Sequence, residues 1–252
     1  MNDVIDVMAL QRDKSRHATP IDYRAAEGKT LAPWFLFECG IKLRAQPLTI
    51  AMAAVVFHKF FKEVDQSDYD SYLIAASTLY LSGKMKDDHL KIRDVINVAH
   101  STLNRNSPPL ELGDQYWSMR DGIVQAELLI MRILKFEVSV EHPHKYMLHY
   151  LKSLQDWFSP HIWSTMPIAK TAAAFLQDFH HSPAILDYSA PHIAIACLSL
   201  ALQVYGARVP LCDNNDDNAV WYHVFDKNLT KEKHWEIMEK VMDVYNQEPD
   251  TS

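Results

Sequence analysis

From Pro33 onward, apolar residues recur at the spacing of a helix face along nearly the whole chain. Phe35, Leu36, Cys39 and Leu43 mark a first helix over 34–43. Pro47 stands where the first turn of a helix tolerates a missing N–H, and Ile50, Ala53, Ala54, Phe57 and Phe61 carry that helix to about residue 64. Asp68 and Asp70 are N-cap candidates for a third helix over 71–84, and a shorter helix follows over 90–100. Pro108, Pro109 and Gly113 place 102–114 in a loop. A long helix over 115–134 comes next. Its stretch 128–134 is almost wholly apolar, and a helix apolar on every side is expected to be buried on every side, near the centre of its bundle.

Pro143 opens a second series. An amphipathic helix is predicted over 145–157, another over 167–179, and a strongly apolar one over 193–205 with Gly206 as its stop. A short element over 221–225 follows an Asn- and Asp-rich loop at 212–218. Thr230, Lys231, Glu232 and Lys233 open a last helix with Trp235, Met238, Val241, Met242 and Tyr245 on one face. The two series repeat each other. Residues 73–81 and 193–201 align, with small residues where helices must approach closely, and each stands third in a run of about five helices. Residues 1–30 are weakly periodic and read as an N-terminal arm, flexible or loosely docked. The expected fold is all-α: two five-helix modules at 31–138 and 142–247, with almost no β structure.

Composition narrows the function. The chain has 252 residues, 48% hydrophobic and 23% charged, which is enough for two small packed cores and excludes a mostly disordered chain. Only 6 glycines leave little for Gly-rich phosphate loops or for the many tight turns of a β-sandwich. The net charge of −7 speaks against gripping phosphate backbones, so no direct nucleic-acid partner is expected. Cys39, Cys197 and Cys212 are far apart and contain no C-x-x-C, against a disulfide framework or structural zinc and in favour of a reducing, intracellular compartment. Residues 1–14 lack the apolar core of a signal peptide, and no apolar run approaches the ~20 residues of a membrane span.

Two charges sit awkwardly on apolar helices: Lys84 at the end of the third and Glu127 in the middle of the fifth. A carboxylate in such a setting needs a cation or several donors, and Lys84 is the economical partner if the two helices meet. A solvent-facing stripe, or a local bridge with nothing attached, is the plainer alternative. Other chemistry is weaker. His142, His144 and His149 lack the i, i+4 spacing of a metal pair, as do His180 and His181, so packing or helix-end roles are expected and no metal or cofactor. Cys39 and Cys197 lie in apolar runs where cysteine is inert filler, while Cys212 sits in an acidic loop that would raise its pKa. Without a G-x-S-x-G nucleophile elbow either, no catalytic residue is expected. Asp87-Asp88 and Asp216-Asp217 read as solvated, and Trp34, Phe35, Phe37, Phe60 and Phe61 as core. Met119, Met131, Met147 and Met166 read as filling gaps between helices. Arg208 to Leu211 matches a loose Arg-x-x-Leu degradation pattern that occurs often by chance.

The tandem five-helix repeat, with Leu-x-x-Ala-x-x-x-Leu ending in a lysine and a glutamate in the fifth helix, resembles the cyclin box. The segments IAMAAVVFHKFF, YDSYLIAASTLYLSGKM, RDVINVA and HIAIACLSLALQVYG, with the more specific stretch 120–155, are similar to a small atypical cyclin, and the resemblance covers 33–246. It implies a non-enzymatic regulatory subunit that forms a heterodimer with a cyclin-dependent kinase, one resembling cyclin-dependent kinase 10, and holds the kinase in its active conformation. It implies kinase contacts at Lys84 and Glu127, with Met85, Met131 and Phe136 packing on the kinase regulatory helix. Val204 stands where the second repeat would need its lysine, so only the first repeat is expected to grip the kinase. The chain departs from the pattern of many cell-cycle cyclins. Their Met-Arg-Ala-Ile-Leu docking motif is absent near residues 28–32, an arginine–aspartate pair is replaced by Lys29 and His58, and Lys-x-Glu-Glu reads Lys84-Met85-Lys86-Asp87. Tandem cyclin folds also occur in transcription scaffolds that hold promoter DNA. The missing zinc ligands and the acidic charge weigh against that reading. A metal- or histidine-based helical enzyme ranks below both.

Overall fold

Proline and aspartate set the helix starts. The computed structural model describes residues 21–24, 31–105, 107–209 and 220–246. Among them are ten α-helices, a few 3-10 turns and no strand. Pro33, Pro47, Pro143 and Pro191 occupy first-turn positions, where no intrahelical N–H is needed. Of the two aspartates expected at the third helix, Asp70 is the cap: its carboxylate accepts from the Tyr72 and Leu73 amides.

Two bundles result. The first holds α1 (Ala32–Lys42), α2 (Pro47–Glu63), α3 (Ser71–Met85), α4 (Ile92–Leu103) and α5 (Asp114–Ile133), together with residues 21–24 and the segment 180–186. Its core is built on Phe35, Leu36, Phe60, Leu79, Ile96 and Ile130, all essentially inaccessible. The central helix is α3, which packs against α1, α2, α4 and α5. Over 74–83 only Tyr80 escapes burial, because Ala75, Ala76, Ser77 and Gly83 let neighbours close in from several sides. This corrects the expectation for α5. That helix buries Tyr116, Ile123, Ala126 and Ile130 along one face, and Leu128 in its apolar run is 54% exposed. Charges at Arg120, Asp121 and Arg132 hold the other side of α5 in water, so a run of apolar letters did not amount to an all-round apolar surface.

Two short segments complete this bundle. Tyr23 is buried against Phe35 and Tyr72, its hydroxyl donates to Glu38 at 2.8 Å, and the Tyr72 hydroxyl donates to the Tyr23 carbonyl at 2.9 Å. The His181 ring stacks on Trp34 and Phe37 at centroid distances of 4.2 and 3.9 Å. The His180 carbonyl accepts from Nε2 of buried His58 at 3.0 Å, which places the His58 proton on Nε2. Phe35, Phe37 and Phe60 are core as expected, whereas Trp34 and Phe61 are only partly buried.

The second bundle holds α6 (Pro143–Trp157), α7 (Pro160–Thr165), α8 (Ile168–Phe179), α9 (Ala190–Val204) and α10 (Lys231–Asn246). Its axis is α9, packed by α6, α8 and α10. The short α7 was not foreseen, and it makes α9 fourth rather than third in this bundle. A six-residue helix that starts at Pro160 and ends before Pro167 carries too few positions for a period to show. Expectations for residues 1–20 and 25–30, including Lys29, and for Pro210, Leu211, the loop 212–218, Cys212 and Asp216-Asp217 lie outside the described residues.

Candidate functional site

The end of α3 and the flank of α5 bring the two awkward charges together. Lys84 Nζ donates to both carboxylate oxygens of Glu127, at 2.8 and 2.9 Å, and lies 4.3 Å from the centroid of the Tyr80 ring one turn back on α3. The lysine side chain is half exposed and the glutamate only 13% exposed. Partial burial pulls the Lys84 pKa down, but the Glu127 hydrogen bond and charge, with Tyr80, outweigh it and leave the ammonium above its ordinary range. A pair of this exposure contributes little to stability, and it holds a donor and an acceptor at fixed positions.

The chain turns sharply after each helix, and both turns aim residues of the site. Beyond α3, the Lys86 amide donates to the Ser82 carbonyl and the Asp88 amide to the Gly83 carbonyl, with Asp87 at a φ of 53°. A Cβ on Gly83 would meet the Asp88 carbonyl oxygen at 3.1 Å and Leu90 Cδ1 at 3.0 Å, so glycine lets the turn fold back directly over the helix end. Asp88 is thereby brought to the start of α2, where its carboxylate accepts from the Gln46 amide at 2.7 Å; it is not simply solvated. Met85, the last residue of α3, is 36% exposed.

Beyond α5, the Lys135 amide donates to the Arg132 carbonyl and the Phe136 amide to the Met131 carbonyl at 2.8 Å, a Schellman closure. Lys135 and Phe136 both take positive φ, 51° and 63°, without a glycine. Such residues cost of order 1 kcal/mol each and recur where function fixes the backbone. The turn leaves Phe136 67% exposed, while Met131 is half-buried one helical turn beyond Glu127. Of the five residues singled out from sequence, Lys84 and Glu127 bond through side chains and Met131 and Phe136 through backbone, and Met85 joins by adjacency to Lys84. Tyr80 was missed. Its i, i+4 spacing to Lys84 on a helix was the available signal.

The competing chemistry finds no comparable arrangement. Among the described residues no three His, Cys, Asp or Glu side chains are placed to hold a metal, and His142 and His144 meet only edge to face at 6.2 Å. Cys39 and Cys197 are buried, and burial pushes the Cys39 thiol up to about 12 and that of Cys197 upward as well. No described helix is long and apolar enough to cross a membrane. Val204, at the end of α9, is partly buried.

Known proteins share this plan. The family model described as "Cyclin, N-terminal domain" matches residues 9–139, just over half of the chain. Cyclin pch1 of Schizosaccharomyces pombe is 29% identical over 189 residues, covering 74% of this chain and 53% of that protein. Cyclin-L1 of Xenopus laevis is 30% identical over 175 residues, covering 68% of this chain and 34% of its own length. The chain thus spans about half, or less, of the curated relatives it matches. In solved structures, a chain of the yeast RNA Pol II CTD kinase CTDK-1 complex superposes with a TM-score of 0.67 at 19% identity, over 92% of this chain and 69% of that one. A chain of the CAK complex from Chaetomium thermophilum gives 0.62 at 17%, over 87% of this chain and 62% of that one. At these identities the structural likeness is one of fold. Two all-helical bundles, the match of the cyclin N-terminal domain over residues 9–139, and the similarity to cyclins of Schizosaccharomyces pombe and Xenopus laevis establish that the chain belongs to the cyclin family.

Proposed function

We propose that this chain is the activating subunit of a cyclin-dependent protein serine/threonine kinase, and that within its family it is of the small atypical type called cyclin Q or cyclin M, with a kinase resembling cyclin-dependent kinase 10 as partner in a heterodimer. The observation that carries the reading is the Lys84–Glu127 pair, held open to solvent on its lysine side and accompanied by exposed Met85 and Phe136. The first bundle, 31–138, grips the kinase, and the second, 142–247, supports the module or binds elsewhere. Membership in the cyclin family and the likeness in fold to chains from two solved kinase complexes support this.

The mechanism is a population shift. A protein kinase is competent when its catalytic lysine pairs with the glutamate of its regulatory helix. A subunit that binds this arrangement more tightly than the inactive one draws the equilibrium toward it, and a swing from 1:99 to 99:1 takes ~5.5 kcal/mol of differential affinity. Met85, Met131 and Phe136 supply apolar burial. Lys84 offers N–H donors and Glu127 lone pairs to backbone groups at a helix end, so the pair sets register more than energy.

The test exchanges the charges. Lys84→Glu combined with Glu127→Lys keeps the internal pair possible and hence the fold, while a partner meets each charge reversed. The chain is co-expressed with candidate kinases, co-elution is followed by size exclusion, and phosphorylation of a generic substrate is assayed. The expected result is a complex with gained activity that the double exchange abolishes at unchanged thermal stability. Activation that survives the exchange removes the pair from the interface, and a folded chain that elutes alone from every kinase overturns the reading.

A further inference from the structure

Three serines among the described residues stand directly before a proline: Ser107, Ser159 and Ser182. Two of them serve the fold. The Ser159 carbonyl accepts from the Trp163 amide at 3.0 Å and so starts α7. Ser182 accepts at its hydroxyl from the Ala184 amide and at its carbonyl from the Ile185 amide, both at 3.3 Å. Ser107 starts no helix. It lies in the connection between α4 and α5 and is exposed together with Pro108 and Pro109. A residue before proline is held extended, and proline has no N–H to donate. This stretch can therefore enter an enzyme cleft as an extended segment without unwinding a helix and without burying an unsatisfied donor.

The turn that presents Ser107 also carries a cation. The Ser107 amide donates to the Asn104 carbonyl at 3.0 Å, closing a turn with Arg105 at its second position and Ser107 at its fourth. Arg105 Nη2 donates to both Glu38 oxygens, at 2.8 and 2.7 Å, and Nε donates to the Ile21 carbonyl at 3.1 Å. Glu38 does not depend on Arg105 alone, because Lys42 and the Tyr23 hydroxyl each reach it at 2.8 Å. A stronger anion on the same turn can thus draw the guanidinium away and leave Glu38 paired. A phosphate on Ser107 brings a charge of about −1.5 to −2 and three acceptor oxygens, which suit the planar guanidinium fork.

We propose that Ser107 is a phosphorylation site for a proline-directed serine kinase, and that the phosphate takes Arg105 from Glu38 and from the Ile21 carbonyl, loosening the segment 21–24. In the transfer, Ser107 Oγ attacks the γ-phosphorus of ATP. The Oγ–P bond forms as the bond from that phosphorus to the β,γ-bridging oxygen breaks, ADP leaves with that electron pair, and the hydroxyl proton passes to the kinase's aspartate base. Ser107 and Arg105 belong to the first bundle and are not among the residues proposed to meet a kinase partner, so the site stands whichever way that reading falls.

The full chain is incubated with ATP and either a purified mitogen-activated protein kinase or a purified cyclin-dependent kinase complex, and the phosphate is located by mass spectrometry. Ser107→Ala, Ser159→Ala and Ser182→Ala are treated alike. Phosphate on Ser107 from at least one enzyme is expected, lost in Ser107→Ala and kept in the other two variants. Phosphate confined to Ser159 or Ser182, or none from either enzyme, overturns the site. Phosphorus NMR then follows the second ionisation of the phosphate, which lies near pH 6 when unpaired. It is expected about half a unit lower in the folded chain than in Arg105→Gln or in the same chain unfolded by urea. Amide exchange across 21–24 is expected to rise ~10-fold on phosphorylation and to be unaffected by it in Arg105→Gln. A phosphate that titrates alike folded and unfolded, or exchange that phosphorylation leaves within twofold, overturns the capture of Arg105. Should Arg105→Gln fail to fold, the urea reference and the exchange rates decide alone.

Discussion

Tyr23 is held from several sides at once. Its ring meets Phe35 and Tyr72 edge to face, its hydroxyl bonds to Glu38, and its carbonyl accepts from Tyr72. Glu38 in turn is bound by Lys42 at 2.8 Å and by Arg105 at 2.7 Å, and Arg105 also donates to the Ile21 carbonyl. Burial, with the Glu38 carboxylate beside it, raises the Tyr23 pKa above the ordinary phenol range and keeps it a donor. Because Glu38 retains two cations, Tyr23→Phe is expected to cost only about 1 kcal/mol, one hydrogen bond. Tyr23→Ala leaves an aromatic-sized void and is expected to cost about 3–5 kcal/mol. Urea denaturation of both variants checks the ratio; equal losses would show that the hydroxyl, not the ring, holds the segment. None of this was visible in the one-dimensional pattern, where Tyr23 is an isolated aromatic in a polar stretch. Lys84 and Glu127 could be singled out because a charge among apolar helical neighbours is rare, whereas Tyr80, Arg105 and Glu38 are ordinary surface letters until the fold brings them together.

At the scale of elements, helix starts and types followed from proline, aspartate and the apolar period, and the ends were set by backbone closures that side-chain pattern does not encode. Leu103 extends α4 past its expected stop because the chain does not leave the helix until the Asn104 amide bonds back to the His100 carbonyl. Helix-to-helix distance is also set locally. A Cβ on Gly40 would stand 2.7 Å from Cγ1 and 2.9 Å from Cδ1 of Ile50, so α1 and α2 approach as closely as they do only because residue 40 has no side chain. Gly40→Ala is therefore expected to destabilise by about 1–3 kcal/mol through overpacking, outweighing the gain in helix propensity. A raised melting temperature for this variant would show that α1 can shift without loss.

For the molecule as a whole, acid is the lever the structure exposes. His58 is 6% exposed beneath the segment 180–186; burial, opposed by the His180 carbonyl and aided by nearby His181, lowers its pKa to about 4. His234, bonded to Ser199 in the second bundle, is likewise lowered to about 4 by burial. The unfolded chain takes up these protons near pH 6.5 and the folded chain only near 4. Stability is thus full above about pH 6.5 and falls as the pH drops toward 4, by up to about 3 kcal/mol from His58 alone. Melting temperatures between pH 7 and pH 4 check this, with His58→Asn expected to flatten the slope. A slope unchanged by that substitution would place the His58 ring in water.

What the sequence by itself determined is the class of architecture: helices at all but one of their places, a repeat in two halves, a strongly apolar helix with small residues in each, and a lysine and a glutamate that demanded partners. These are periodic or compositional signals carried by neighbours within a few residues. The tertiary structure decided which helix is central in the first bundle, that Lys84 and Glu127 bond to each other, that Phe136 is turned outward by two left-handed residues, and that Trp117, Val124 and Leu128 face water. Each depends on groups far apart in the chain, or on a backbone turn set by packing, and an apolar letter is the same whether its side chain enters a core or waits for a partner.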